Sequence, residues 1–110
     1  MGYRVTGSLW IEFQNERFFG PGRVELLKYI DETGSIYKAA KKMRMSYKKA
    51  WKMISSLNEQ VKQPLVIVKK GGEKGGGSAI TDEARALIGY HESMRKRFTE
   101  FLEKESKKFR

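Results

Sequence analysis

The stretch Gly34-Ser35-Ile36-Tyr37-Lys38-Ala39-Ala40-Lys41-Lys42-Met43-Arg44-Met45-Ser46-Tyr47-Lys48-Lys49-Ala50-Trp51-Lys52-Met53-Ile54-Ser55-Ser56-Leu57-Asn58 reads as two short helices joined by a tight turn. Ser35 and Ser46 each stand just before an apolar-periodic run, where a serine hydroxyl can accept from the free amides of a helix's first turn. Behind Ser35, the residues Ile36, Ala39, Ala40 and Met43 fall at i, i+3, i+4 and i+7, one face of a helix. Behind Ser46, a second stripe runs through Tyr47, Ala50, Trp51, Ile54, Leu57 and Val61 until Gln63-Pro64 ends it. Arg44-Met45 is the break between the two.

Working outward, Gly20-Pro21-Gly22 punctuates the chain upstream, with Pro21 suited to the first turn of a helix. Val24, Leu26, Leu27 and Ile30 then predict a mostly apolar helix reaching Thr33, and Gly34 stops it. Downstream, Leu65 to Val68 is a short β-branched run, Lys69 to Gly77 a glycine-rich loop, and Ser78-Ala79-Ile80 the returning strand of a hairpin. Thr81 caps a last helix whose dipole Asp82 and Glu83 complement. Its seam is heptad-like, with Ala84, His91 and Phe98 at one position and Leu87, Met94 and Phe101 at the other. Near the start, the odd positions Tyr3, Val5, Gly7, Leu9, Ile11 and Phe13 alternate with mostly polar neighbours, which predicts a half-buried strand. Trp10 breaks the polar side of that alternation.

The order is therefore strand, three helices, hairpin, long helix. This predicts an α+β, mainly α, single domain: a winged helix-turn-helix over 20–80, with an N-terminal strand over 1–14 and a dimerisation helix over 81–108. Its 110 residues suit one compact domain, and 39% hydrophobic with 12% aromatic residues supplies a core. The seam of the last helix is too long for so small a domain to cover alone. It predicts a homodimer paired through Leu87, Met94, Phe98, Phe101 and Leu102.

Charge and composition narrow the function. Lys and Arg number 23 against 13 Asp and Glu, giving a formal net charge of +10 that favours polyanionic partners. With no cysteine and one histidine, disulfides, zinc fingers and thiol nucleophiles are excluded, and no metal or other cofactor is expected. No signal peptide is apparent, and the longest aliphatic run, Leu65 to Val68, is far too short to span a bilayer. A cytoplasmic protein without membrane partners or catalytic activity is expected.

In a winged helix-turn-helix the second helix of the motif enters the major groove. Turned away from its buried stripe, that helix carries Lys48, Lys49, Lys52 and Ser56, and no acidic residue occurs from Gly34 to Asn58. Solvated faces ordinarily interleave both signs, so an acid-free face points to nucleic acid. Ser46 and Tyr47 open the recognition helix, while Ser35, Lys38, Lys42 and Arg44 lie beside the turn and suit backbone contacts. The glycine-rich loop lacks the Gly-Lys-Ser/Thr ending of a phosphate-binding P-loop. It reads instead as a wing whose backbone approaches DNA closely, with Lys69, Lys70 and Lys74 supplying charge. Trp51 is expected in the core, Phe98 and Phe101 in core or interface, and His91 as a hydrogen-bonded structural histidine.

The run Gly34-Ser35-Ile36, Ala39-Ala40-Lys41, Ser46-Tyr47-Lys48, Ala50-Trp51, Ile54 and Leu57-Asn58, followed by Gly71-Gly72, Lys74 to Gly77 and Ile80-Thr81, resembles the N-terminal domain of the molybdate-dependent transcriptional regulator (ModE) family. Regulators of the LysR type share the architecture. The resemblance covers roughly 22–84 and implies a homodimeric reader of double-stranded DNA, with Ser46, Tyr47, Lys48, Lys49 and Lys52 toward the operator and the long last helix pairing subunits. Arg44 stands where family members often have glycine. Full-length members carry molybdate-binding modules after the last helix; this chain ends at Arg110, so no oxyanion response is expected from it, which leaves it constitutive, controlled by its own abundance, or coupled to a separate effector-sensing protein. The alternative is an architectural protein that coats DNA without sequence preference. An RNA-binding module lacks its aromatic platform here, and a pure dimerisation adaptor leaves the acid-free motif unexplained.

Overall fold

A computed structural model describes residues 2–69 and 77–109. The elements run β1 (Ile11–Phe13), β2 (Glu16–Phe19), α1 (Pro21–Thr33), α2 (Ile36–Lys42), α3 (Tyr47–Glu59), β3 (Val66–Val68), β4 (Ser78–Ile80) and α4 (Asp82–Lys108). Two antiparallel hairpins flank a helical body: β1 with β2, and β3 with β4. This is a mainly α winged helix-turn-helix arrangement, as the sequence predicts.

The capping residues place the helices. Ser35 Oγ accepts from Lys38 N at 3.1 Å, and Ser46 Oγ accepts from Lys49 N at 3.0 Å. Gly34 ends α1 in the left-handed region at φ 70°, its N–H donating to the Ile30 carbonyl. The Gly34 carbonyl in turn accepts from Ser78 N at 2.9 Å, so the end of α1 is tied to β4. One core joins all the layers. Phe19, Leu26, Leu27, Ile30, Ala39, Ala50, Ile54, Leu57 and Ala84 are buried to 1% exposure or less, and Leu65, Val66 and Ile80 close it from the wing side.

Asn58 sets where the wing begins. Its Oδ1 accepts from the backbone N–H of Leu65 at 2.8 Å and Val66 at 3.3 Å, and its Nδ2 donates to the Val66 carbonyl at 3.1 Å. One side chain thus acts as a strand partner for the first residues of the hairpin. β3 and β4 then pair in the register Val66 with Ile80, Ile67 with Ala79 and Val68 with Ser78. Thr81 locks the return, donating from Oγ1 to the Pro64 carbonyl and capping α4 by accepting from Ala84 N.

The N-terminal segment differs from the expected strand over 1–14. Only Ile11–Phe13 is a strand, and it pairs with a second strand, Glu16–Phe19, that the alternation did not reveal. Gln14 and Asn15 make the two-residue turn with φ 51° and 67°, a conformation that asparagine tolerates better than most residues. Residues 2–10 form an arm that runs antiparallel along α4. Val5 N donates to Ser106 Oγ at 2.8 Å, the Tyr3 ring meets Phe109 edge-on at 5.1 Å, and Gly7 lies against the Phe98 ring. The period-2 pattern there reflects one side of an extended chain packed on a helix, not a sheet. Trp10 is covered within its own chain: Arg17 lies over its ring at 4.5 Å, and the ring fills the space where a Gly20 side chain would be. α3 also ends at Glu59, so Val61 lies beyond the helix rather than on its stripe.

Candidate nucleic-acid interface

α3 presents its outer face as the charge pattern predicts. Ala50, Ile54 and Leu57 point into the core, leaving Lys48, Lys49, Lys52 and Ser55 exposed on the opposite side. None of the three lysine ammonium groups is held in an ion pair among the described residues. Glu59, at the far end of the helix, is the one acid on this face. Ser46 is exposed at the helix start, where its hydroxyl is committed to the Lys49 amide.

An aromatic group stands where α2 meets α3. The Tyr47 ring lies 6.2 Å from Tyr37 and meets Trp51 edge-on at 6.0 Å, and the Lys41 ammonium sits over Tyr37 at 5.6 Å. Tyr37 and Tyr47 are both about half exposed, and Trp51 is half-buried rather than fully enclosed. Sequence reasoning placed Tyr47 here and missed Tyr37. The signal was its position beside Ile36, on the outward side of α2 within the acid-free run.

The residues around the turn divide. Lys38 and Arg44 are exposed and unpaired among the described residues, and Ser35 is half-buried as the α2 cap. Arg44 holds φ 56°, the left-handed conformation that glycine adopts without strain. Lys42 turns back toward α1, where it pairs with Glu32 at 3.0 Å and lies over the Tyr29 ring. Ser56 is not free on the outer face. Arg23 reaches across from α1, donating to the Phe18 carbonyl at 2.7 Å, and at 3.5 Å it meets Ser56 Oγ, which itself lies 3.5 Å from Gln60. The helical wheel puts Ser56 near the lysines, but this tertiary contact covers it. Burial lowers the Arg23 pKa from its ordinary value.

On the wing, Lys69 is exposed and its N–H closes the hairpin onto the Gly77 carbonyl at 2.7 Å. Lys70 and Lys74 lie outside the described residues. Along α4, the five seam residues separate into two sets. Phe98 and Leu102 face the N-terminal arm. Leu87 joins Phe18, Val61, Leu65 and Tyr90 around an open apolar groove of about 520 Å³, Met94 is half-buried, and Phe101 is 56% exposed. His91 is buried, but its partners are incomplete: Nε2 lies 3.5 Å from the Leu9 carbonyl and Nδ1 has no hydrogen-bond partner. The expectation of a hydrogen-bonded structural histidine is met on one nitrogen at most.

Residues 22–85 match the model of the bacterial regulatory helix-turn-helix proteins of the LysR family. The chain belongs to that family. The matched region takes in α1, the two helices of the motif, the hairpin and the start of α4, and the family is one of regulatory proteins rather than enzymes. Among curated proteins, the chain is 42% identical over 80 residues to the transcriptional regulator ModE of Haemophilus influenzae, covering 73% of this chain and 31% of that protein. It is 35% identical over 86 residues to the molybdenum transport protein ModE of Azotobacter vinelandii, covering 78% and 32%. It is also 39% identical over 80 residues to the DNA-binding transcriptional dual regulator ModE of Escherichia coli K12, covering 73% and 30%. These bear out the resemblance to ModE, and the chain spans about a third of the length of those relatives. No helix among the described residues is long and apolar enough to cross a membrane.

Proposed function

We propose that this chain binds double-stranded DNA sequence-specifically as a homodimer and regulates transcription. The observation that carries this reading is the outer face of α3, where Lys48, Lys49 and Lys52 stand exposed and unpaired behind the Ser46 cap. A helix of this kind reads base edges from its N-terminal turns, and lysine can donate to the two acceptors of guanine in the major groove. Ser46, Tyr47, Lys48, Lys49 and Lys52 take the operator-facing role. Ser35, Lys38, Arg44 and Lys69 take the phosphate-contacting role, and Lys70 and Lys74 are assigned it from the sequence alone. Lys42 joins them by exchanging its exposed pairing with Glu32 for a phosphate, a contact of little cost to break.

The dimer is drawn more narrowly than the sequence suggested. Leu87, Met94 and Phe101 recur every seven residues along α4, flanking the seam that the arm covers, with Phe101 bordering Val5 of the arm, and the groove around Leu87 extends that stripe. A second copy laid on this stripe covers it, leaving Phe98 and Leu102 to the arm. α4 is about 40 Å long at 1.5 Å per residue. That length suits two reading heads one helical turn of DNA apart, about 34–36 Å.

Selecting bound duplexes from a random pool with the purified chain tests this reading. An inverted repeat with half-site centres about one turn apart is the expected outcome. A pool that stays random after repeated rounds would favour the architectural alternative.

A further inference from the structure

Where the arm passes the middle of α4 it leaves a largely enclosed cavity of about 150 Å³. Its polar lining residues are the buried His91 and the exposed Ser8, Arg95 and Thr99, and Phe98 and Leu102 are among its apolar ones. One polar group there is buried and unmatched, and one exposed cation is unpaired among the described residues. His91 is 1% exposed with Nδ1 lacking any hydrogen-bond partner. Arg95 makes no ion pair among the described residues, whereas Lys28 and Arg85 on the same helix bundle are neutralised by Glu92 and Asp31. No carboxylate lines the cavity.

We propose that this cavity is a binding site for a small organic monocarboxylate. A guanidinium is the side chain best shaped for a carboxylate, because its parallel N–H groups donate to both oxygens. The two hydroxyls and the imidazole can complete the shell of the anion. The apolar wall requires a ligand with a hydrocarbon body, which an inorganic oxyanion lacks. Cavities of about 150 Å³ hold a molecule the size of benzene, so that body is limited to about one ring or a short branched chain. The site is walled by the arm on one side and by α4 on the other, with Pro21 of α1 beside them, so the ligand fastens the arm to the helix.

The test is a titration of the ¹⁵N-labelled full chain followed by two-dimensional NMR. Benzoate is the probe, benzamide is its uncharged counterpart of the same shape, and inorganic phosphate is the anion without a hydrocarbon body. Saturable benzoate shifts are expected at the amides of Gly7 to Leu9 and of His91 to Leu102, at millimolar concentration or below. Benzamide and phosphate should each bind at least about tenfold more weakly, the order of effect of one charged hydrogen bond. Arg95→Gln should weaken benzoate by about the same factor while leaving the rest of the spectrum in place. Thr99→Leu, which narrows the cavity from an exposed position, should abolish the shifts. Absence of saturable shifts would overturn the proposal, leaving the cavity to water. Benzamide binding as well as benzoate would make it a plain apolar hollow, and phosphate binding as well would remove the organic ligand. Shifts centred on Lys48 to Lys52 would reduce the effect to anions gathering on the basic helix. Each of these outcomes contradicts it.

Discussion

Asn58→Ala should destabilise the domain by about 2–4 kcal/mol. The Asn58 side chain makes three hydrogen bonds to the backbone at the start of the wing: two accepted, from Leu65 and Val66, and one donated, to the Val66 carbonyl. A typical intramolecular hydrogen bond contributes about 0.5–1.5 kcal/mol net, and an orphaned buried donor costs about 1–3 kcal/mol. Leu65 and Val66 are 2% and 3% exposed, so water has little access to replace the lost acceptor. The 2.8 Å bond to Leu65 dominates, and the two longer bonds contribute less. For a domain near this size each kcal/mol moves the melting temperature by roughly 4 °C, so a fall of about 8–16 °C is expected. Asn58→Asp separates the contributions. It retains the acceptor for both amides but loses the donor to Val66 and sets a negative charge beside that carbonyl, so an intermediate loss of about 1–2 kcal/mol is expected. Urea denaturation with both variants gives the free energies, and an unchanged slope would show that compactness is preserved. An alanine variant losing under about 1 kcal/mol, or an aspartate variant equal to it, would refute the assignment of Asn58 as the anchor of the wing.

Ser46→Ala removes the cap of α3 and should cost about 1 kcal/mol in thermal or chemical denaturation. Since Ser35 caps only the seven-residue α2 in the same way, Ser35→Ala should cost a similar amount, and the two losses should add. Arg44→Gly relieves a left-handed residue, worth about 1–2 kcal/mol, against an unfolded-state cost for glycine of about 0.5–1 kcal/mol, so calorimetry should show a small net gain in stability. The same variant should bind DNA more weakly through loss of one phosphate contact, visible as a salt dependence shallower by about one log unit. Phe101→Asp combined with Met94→Asp should give monomers in sedimentation velocity, while Leu102→Ala should leave the association state unchanged and loosen the arm. Dimers persisting in the double variant would place the interface elsewhere on the molecule.

How far the sequence could be read depends on whether the information was local. Ser35, Gly34, Ser46 and Thr81 announce helix boundaries because a cap acts on amides within its own turn, and the structure finds each of them capping or ending a helix. The alternation from Tyr3 to Phe13 was ambiguous because an extended chain packed on a helix shows the same period as a strand in a sheet. Only the tertiary contacts with Ser106 and Phe98 separate the two. β2 was hidden for a related reason: Glu16-Arg17-Phe18-Phe19 does not alternate, since Phe18 and Phe19 are both buried. On the candidate interface, the lysines of α3 were legible from helical periodicity and charge alone. Ser56 was misjudged because Arg23, 33 positions earlier in the chain, covers it. The division of the α4 seam between the residues the arm covers and the more exposed stripe beside them was beyond periodicity, which records that a face is apolar but not what covers it.

The account's central claim is that α3 reads sequence. Its most direct test is to titrate a duplex recovered by selection, and a scrambled duplex of equal length, with the wild-type chain and with Lys48→Ala and Lys52→Ala at near-physiological salt. The account predicts that the wild type prefers the selected duplex by about 10³-fold or more. It further predicts that each variant loses about 1–3 kcal/mol on that duplex while its binding to the scrambled one falls much less. Equal affinity of the wild type for both duplexes, or equal losses on both in each variant, would contradict it.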